Sequence, residues 1–206
     1  MALAASGALG VSGVQAAEFH CSVEPCRVTL KPDGAVPSKT AHQVFILSSG
    51  ESAFSLTCEK VSGEATSLTK TTSELTLTNI SYTCSNFTMK MNGCTYRITA
   101  SGTTTIICPE GKSIELVIGN IFQECIYTIP SQGPLGGLTY HDAEPKKKEQ
   151  ITVENQLSEV KLVLDGGQVK CGLNPEKEPK LQVTTGNTIL SSESDPGGVI
   201  ANLWWE

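Results

Sequence analysis

The residues of this chain best suited to chemistry are its eight cysteines: Cys21, Cys26, Cys58, Cys84, Cys94, Cys108, Cys125 and Cys171. A cysteine can serve as a thiolate nucleophile, as a soft metal ligand or as half of a disulfide. The spacing separates these roles. Zinc sites favour two C-x-x-C pairs with reduced thiolates, and the chain has no C-x-x-C. Cys21-x4-Cys26 beside His20 is the nearest approach, and it reads instead as a small loop closed by a disulfide around Pro25. A thiol nucleophile needs a spare cysteine, and an even count leaves none. No metal and no cofactor are therefore expected, and the cysteines read as disulfide partners.

Pairing can be read from the strands that carry them. In KMNGCTYRITASGTTTIICPEGKSI, Cys94, Tyr96 and Ile98 alternate with Thr95, Arg97 and Thr99, and Ile106 and Cys108 alternate with Thr105 and Ile107. A three-residue hairpin loop at Ala100-Ser101-Gly102, with Gly102 left-handed, sets Ile98 against Thr104 and Tyr96 against Ile106. Cys94 then faces Cys108 at a non-hydrogen-bonded position, where side chains approach most closely. Closing that loop of about 15 residues contributes about 3 kcal/mol. Proximity pairs Cys21 with Cys26, neighbouring strand faces pair Cys58 with Cys84, and elimination leaves Cys125 with Cys171. Cys94–Cys108 is the pairing that spacing favours most, among on the order of a hundred connectivities open to eight cysteines.

Other catalytic constellations are sparse. G-x-S-x-G and H-E-x-x-H are both missing. A Ser-His-Asp triad assembles in space, and its available histidines are His20, His42 and His141, with His141-Asp142 the pair to inspect first. The acids Glu144, Glu149, Glu176, Glu178, Glu193 and Asp195 cluster in loops, where solvation is the ordinary reading. Among the aromatics, Trp204 and Trp205 are adjacent in the last strand and so point to opposite faces. Parity groups Trp205 with Leu203 and Ala201 and turns it inward. Trp204 is the one residue nominated for a ligand surface, through its flat apolar ring.

Composition decides the elements that must position these groups. Only 17% of the residues are charged, and Thr, Ser, Val and Ile dominate, which suits pleated strands over long helices. Nineteen glycines and ten prolines punctuate the 206 residues often enough for many short strands. Strands are expected at Gln43–Leu47, through Phe54, Leu56 and Cys58, through Leu75 and Leu77, at Ile114–Ile118, through Ile151 and Val153, and through Val160, Leu162 and Leu164. Two short strands flank Gly186-Asn187. From Leu77 to Ile80 the buried parity shifts by one, which predicts a bulge near Thr78-Asn79. Pro130–Pro134 and Gly136-Gly137 read as a loop. His141–Gln150 is the most hydrophilic connector and the candidate for an internal boundary. The expected fold is all-β: an antiparallel β-sandwich of two sheets, stapled by disulfides, spanning residues 17–206 as one domain.

The first sixteen residues are small and apolar, with Val14-Gln15-Ala16 fitting a signal-peptidase site, and they read as a signal peptide whose basic start is truncated. No other run is long enough for a transmembrane segment. A net charge of −6 argues against nucleic acid, which demands a basic face.

SLTCEK around Cys58, KTTSELTLTNISYTC, NGCTY (Asn92–Tyr96), IICPEGKSI (Ile106–Ile114), Cys125 before an alternating strand, Tyr140-His141 and the Ile- and Trp-rich end resemble a family of uncharacterised secreted, disulfide-containing, β-rich bacterial proteins. The resemblance runs from about Glu18 to the C-terminus. It implies secretion and a β architecture, and it transfers no activity, ligand or catalytic residue. The functional expectation is an exported noncatalytic module whose partner is a cell-surface or extracellular polysaccharide or a protein. The alternative is a secreted hydrolase with a loop-assembled active site.

Overall fold

A computed structural model describes residues 16–32, 43–67, 69–120, 123–142, 150–164, 179–185, 188–192 and 201–206. Every regular element among them is a strand. In chain order these are β1 (Phe19–Cys21), β2 (Cys26–Pro32), β3 (Gln43–Ser49), β4 (Ser52–Ser67), β5 (Thr71–Thr72) and β6 (Glu74–Cys84). Next come β7 (Phe87–Lys90), β8 (Thr95–Thr99), β9 (Thr103–Ile107), β10 (Ile114–Asn120), β11 (Gln123–Ile129) and β12 (Gln132–Gly136). The last six are β13 (Leu138–Asp142), β14 (Gln150–Lys161), β15 (Val163–Leu164), β16 (Lys180–Thr185), β17 (Thr188–Ser192) and β18 (Leu203–Trp205). The all-β class, the antiparallel pairing and the disulfide stapling are as the sequence led us to expect. The strands are distributed over sheets of three, four and eleven.

The largest sheet owes its shape to two long strands. β4 pairs with β3 along Ser52–Cys58 and with β2 along Gly63–Ser67. β14 pairs with β17 along Gln150–Val153 and with β16 along Gln156–Lys161. β16 in turn pairs with β3, and β17 with β2, so the path β4-β2-β17-β14-β16-β3 returns to β4. The result is two layers whose outer strands pass from one layer to the other, which is how sandwich corners are made. β6 extends this ring from β4 into β8, β9 and β12, and β13 attaches to β14. A separate sheet runs β15-β11-β10-β7.

A strand can change layers only by bending, and the sequence marks each bend as a flip in buried parity. In β4, Leu56 and Cys58 are buried, then Val61 and Ala65, with a register shift between Cys58 and Lys60. In β6, Leu75 and Leu77 give way to Ile80, with a second shift against Ser62–Glu64 and Asn79 at φ 50°. The bulge expected near Thr78-Asn79 is present. In β14, Ile151 and Val153 give way to Val160, with a shift between Leu157 and Val160 and Glu159 at φ 67°. An extra residue in a strand flips every later side chain to the other face, so these flips are bulges.

The β8–β9 hairpin has the predicted register, Ile98 with Thr104 and Tyr96 with Ile106, with Gly102 at φ 89°. Its reach goes further: a Cβ on Gly102 would stand 2.5 Å from the Leu138 carbonyl oxygen, whose backbone N–H donates to the Gly102 carbonyl. One segment departs from expectation. Gln132–Gly136, read as loop from its glycines and proline, is the edge strand β12, paired with β9 across an irregular register. Edge strands tolerate Pro134 because its missing N–H costs no ladder bond on the open side. The strands flanking residues 143–149 pair with each other, Asp142 opposite Ile151. Residues 143–149 lie outside the described residues, as do 1–15, 165–178 and 193–200.

Candidate functional site

Trp204 is positioned by the smallest sheet, β18-β1-β5. β1 alternates: Phe19 and Cys21 are buried, so His20 points outward. In β18, Leu203 is buried, which turns Trp205 to the same side and Trp204 to the other. Three strands this short need anchoring. The Cys21–Cys26 disulfide fixes one end of β1, and the Cys21 backbone N–H donates to the Lys70 carbonyl at 2.7 Å. Glu18 and Glu206 exchange backbone hydrogen bonds of 2.7 and 3.1 Å at the opposite end.

Beneath the sheet, Trp205 donates its indole N–H to the Ala100 carbonyl at 2.9 Å. Its ring lies 5.8 Å from Tyr140, which packs edge-on against Phe19 at 5.1 Å. The Tyr140 hydroxyl donates to the Thr99 carbonyl at 2.9 Å. The inner face of the sheet is therefore pinned to the β8–β9 turn, and Trp205 is the packing tryptophan that parity assigned.

On the outer face, Trp204, His20 and Thr71 form one row across the three strands, His20 being paired with both neighbours. The imidazole stacks on the indole with centroids 5.2 Å apart and planes 10° from parallel. Thr71 Oγ1 lies 3.3 Å from His20 Nδ1. This contact orients the imidazole ring. An indole ring, an imidazole and a hydroxyl in line can offer an apolar surface and two directional hydrogen-bonding groups to a ligand.

The other nominated chemistry does not converge. His141 sits on β13 with its side chain 54% exposed, Nε2 3.8 Å from Glu154 Oε2. Asp142 instead accepts a hydrogen bond from the Trp205 backbone N–H at 2.9 Å, so adjacent residues of this strand serve different partners. Among the described residues no group of three His, Cys, Asp or Glu could hold a metal ion. His42 and the loop acids Glu144, Glu149, Glu176, Glu178, Glu193 and Asp195 lie outside the described residues. Cys21–Cys26, Cys58–Cys84 and Cys94–Cys108 are disulfides, as predicted, with Cα separations of 6.1, 3.8 and 4.0 Å. Cys125 is also disulfide-bonded, and Cys171, its expected partner, lies outside the described residues.

Sequence reasoning weighed His20 as a zinc ligand or a triad member and missed its place beside Trp204. The alternation Phe19, His20, Cys21 shows that it points away from the core. Which strand lies alongside is a contact across more than 180 residues, and no local signal carries it.

No family model, curated protein or solved structure matches the chain. The β-rich, disulfide-containing character stands on the structure itself, and the family read from the motifs finds no support. No helix among the described residues is long and apolar enough to cross a membrane.

Proposed function

We propose that this chain is an exported, noncatalytic β-sandwich module that binds an extracellular polymer, and that the outer face of β18-β1-β5 makes the contact. The observation that carries the reading is the outward row of Trp204, His20 and Thr71, held on a sheet whose other face is locked to the core. A flat aromatic ring flanked by hydrogen-bonding groups suits a neutral sugar ring, which presents an apolar face and a rim of hydroxyls. The net charge of −6 disfavours an acidic polymer. Export is supported by the three disulfides, since such bonds persist in oxidising compartments. His141 is exposed beside Glu154, and the adjacent Asp142 is taken by the Trp205 backbone N–H, which favours binding over hydrolysis.

The test is retention on neutral and acidic polysaccharides, run beside capture of surface proteins. Neutral polysaccharide should retain the native protein. Trp204→Ala should lose at least about tenfold in affinity, a stacking contribution of about 1.4 kcal/mol. Its stability should change by less than about 1 kcal/mol, because the ring lies outside the core. Equal retention of native protein and variant would remove the assignment, and so would binding to a protein alone.

A further inference from the structure

The interior holds a second feature, separate from the Trp204 face. Between the layers lies a cavity of about 80 Å³. Protein interiors pack as densely as organic crystals, and voids larger than one water are few. A water needs only about 10–15 Å³ on a comparable measure, so this space is several times larger. Phe45, Met89, Leu157, Leu181 and Val183 supply much of its wall, from strands of both layers and from β7. Among the described residues, no Asp, Glu, Lys, Arg or His lines it.

Polar groups enter the wall at a few places. Gln43, 6% exposed, donates from its amide to the hydroxyl of Thr188, 5% exposed, over a long 3.4 Å. The Tyr82 hydroxyl donates to that of Tyr96 at 3.3 Å, and Tyr96 reaches the Met91 sulfur at 3.9 Å. The tyrosines thus satisfy each other. A bond as long as that between Gln43 and Thr188 is weak, so either group can exchange it for a shorter one to a ligand.

We propose that this cavity is a binding site for a small neutral molecule, with an apolar frame of a few carbons and at most one hydrogen-bonding group, and that Gln43 and Thr188 receive that group. Charge is excluded because a buried ion without a counterion bears a large desolvation penalty. Apolar walls with a few convergent polar groups are the usual composition of a small-molecule site. The space limits the ligand to a short branched chain or a small ring.

Xenon, propane and 2-propanol are suitable probes, with methyl NMR shifts of Leu181 and Val183 in the full chain as readout. Saturable shifts with xenon and propane are expected, with 2-propanol bound about tenfold more tightly than propane. Gln43→Leu should abolish that preference while propane still binds. Val183→Phe should fill the space and remove all three responses. Should that variant not fold, Leu181→Ala, which enlarges the cavity, serves instead and should bind propane more tightly. Non-saturable or absent shifts in the native protein overturn the site, and so does unchanged affinity in Leu181→Ala. A 2-propanol preference that survives Gln43→Leu overturns the role of the amide.

Discussion

All four tyrosines are held in the neutral form, and burial is the first cause in each case. Tyr82 is raised well above its ordinary value near 10 by desolvation, then by the neighbouring Tyr96. Tyr96 is pushed up to about 12 by desolvation, which the hydrogen bond from Tyr82 partly offsets. Tyr140 and Tyr127 are raised by burial. The unfolded chain loses these protons near pH 10 and the folded chain keeps them. The stability at stake is therefore fully present below pH 10 and is lost as pH rises through the folded value of about 12. The slope is about 1.4 kcal/mol per pH unit for each tyrosine still protonated in the fold. Phenolate absorbance should accordingly appear together with loss of the β circular-dichroism signal. Phenolate forming near pH 10 in protein that keeps its strands would contradict the buried pair.

At the scale of the element, the bulges make a sharper prediction. Glu159 adopts φ 67° in the middle of β14, a conformation that costs an L residue with a Cβ about 1–2 kcal/mol. Its side chain is exposed, so Glu159→Gly should raise stability by about 1 kcal/mol in urea unfolding, despite the added chain entropy of glycine. A loss of stability would mean that the Glu159 side chain contributes more than its backbone strain costs. The strands themselves were largely legible. Phe54, Leu56 and Cys58, or Ile114 and Leu116, announce a half-buried strand by period two alone. The parity flip from Leu77 to Ile80 announced one bulge, and the same flip from Val153 to Val160 carried the signal for another. Gln132–Gly136 stayed hidden because its pairing comes from the hairpin beside it and owes nothing to its own propensity. Partner choice was equally opaque: β16 and β17 are separated by two residues, yet each joins a different half of β14. The Trp204 face was half legible, since parity showed which tryptophan turns outward and nothing local showed what stands next to it.

For the molecule as a whole, the disulfides decide how much of the unfolded ensemble is constrained. Cys58–Cys84 closes a loop with a sequence separation of 26, and Cys94–Cys108 one with a separation of 14. The first staples β4 to β6, where the ring extends into the hairpin layer, and the second closes the β8–β9 hairpin. Replacing both cysteines of the Cys94–Cys108 pair with alanine should lower unfolding free energy by about 3 kcal/mol, and the Cys58–Cys84 pair by slightly more. Denaturant midpoints measured on both double variants check the order, and a larger loss from the shorter loop would point to packing instead of chain entropy.

The hydrogen bonds between Glu18 and Glu206 place the first and last described strands side by side. A polypeptide made from its N-terminus would hold Phe19–Cys21 against β5 alone until Leu203–Trp205 had emerged, so completion of that sheet is a late event, slowed by the search across the intervening chain. The same adjacency makes the molecule a natural subject for circular permutation: a short linker across this seam, with new ends opened between Asp142 and Gln150, should leave every strand pairing in place.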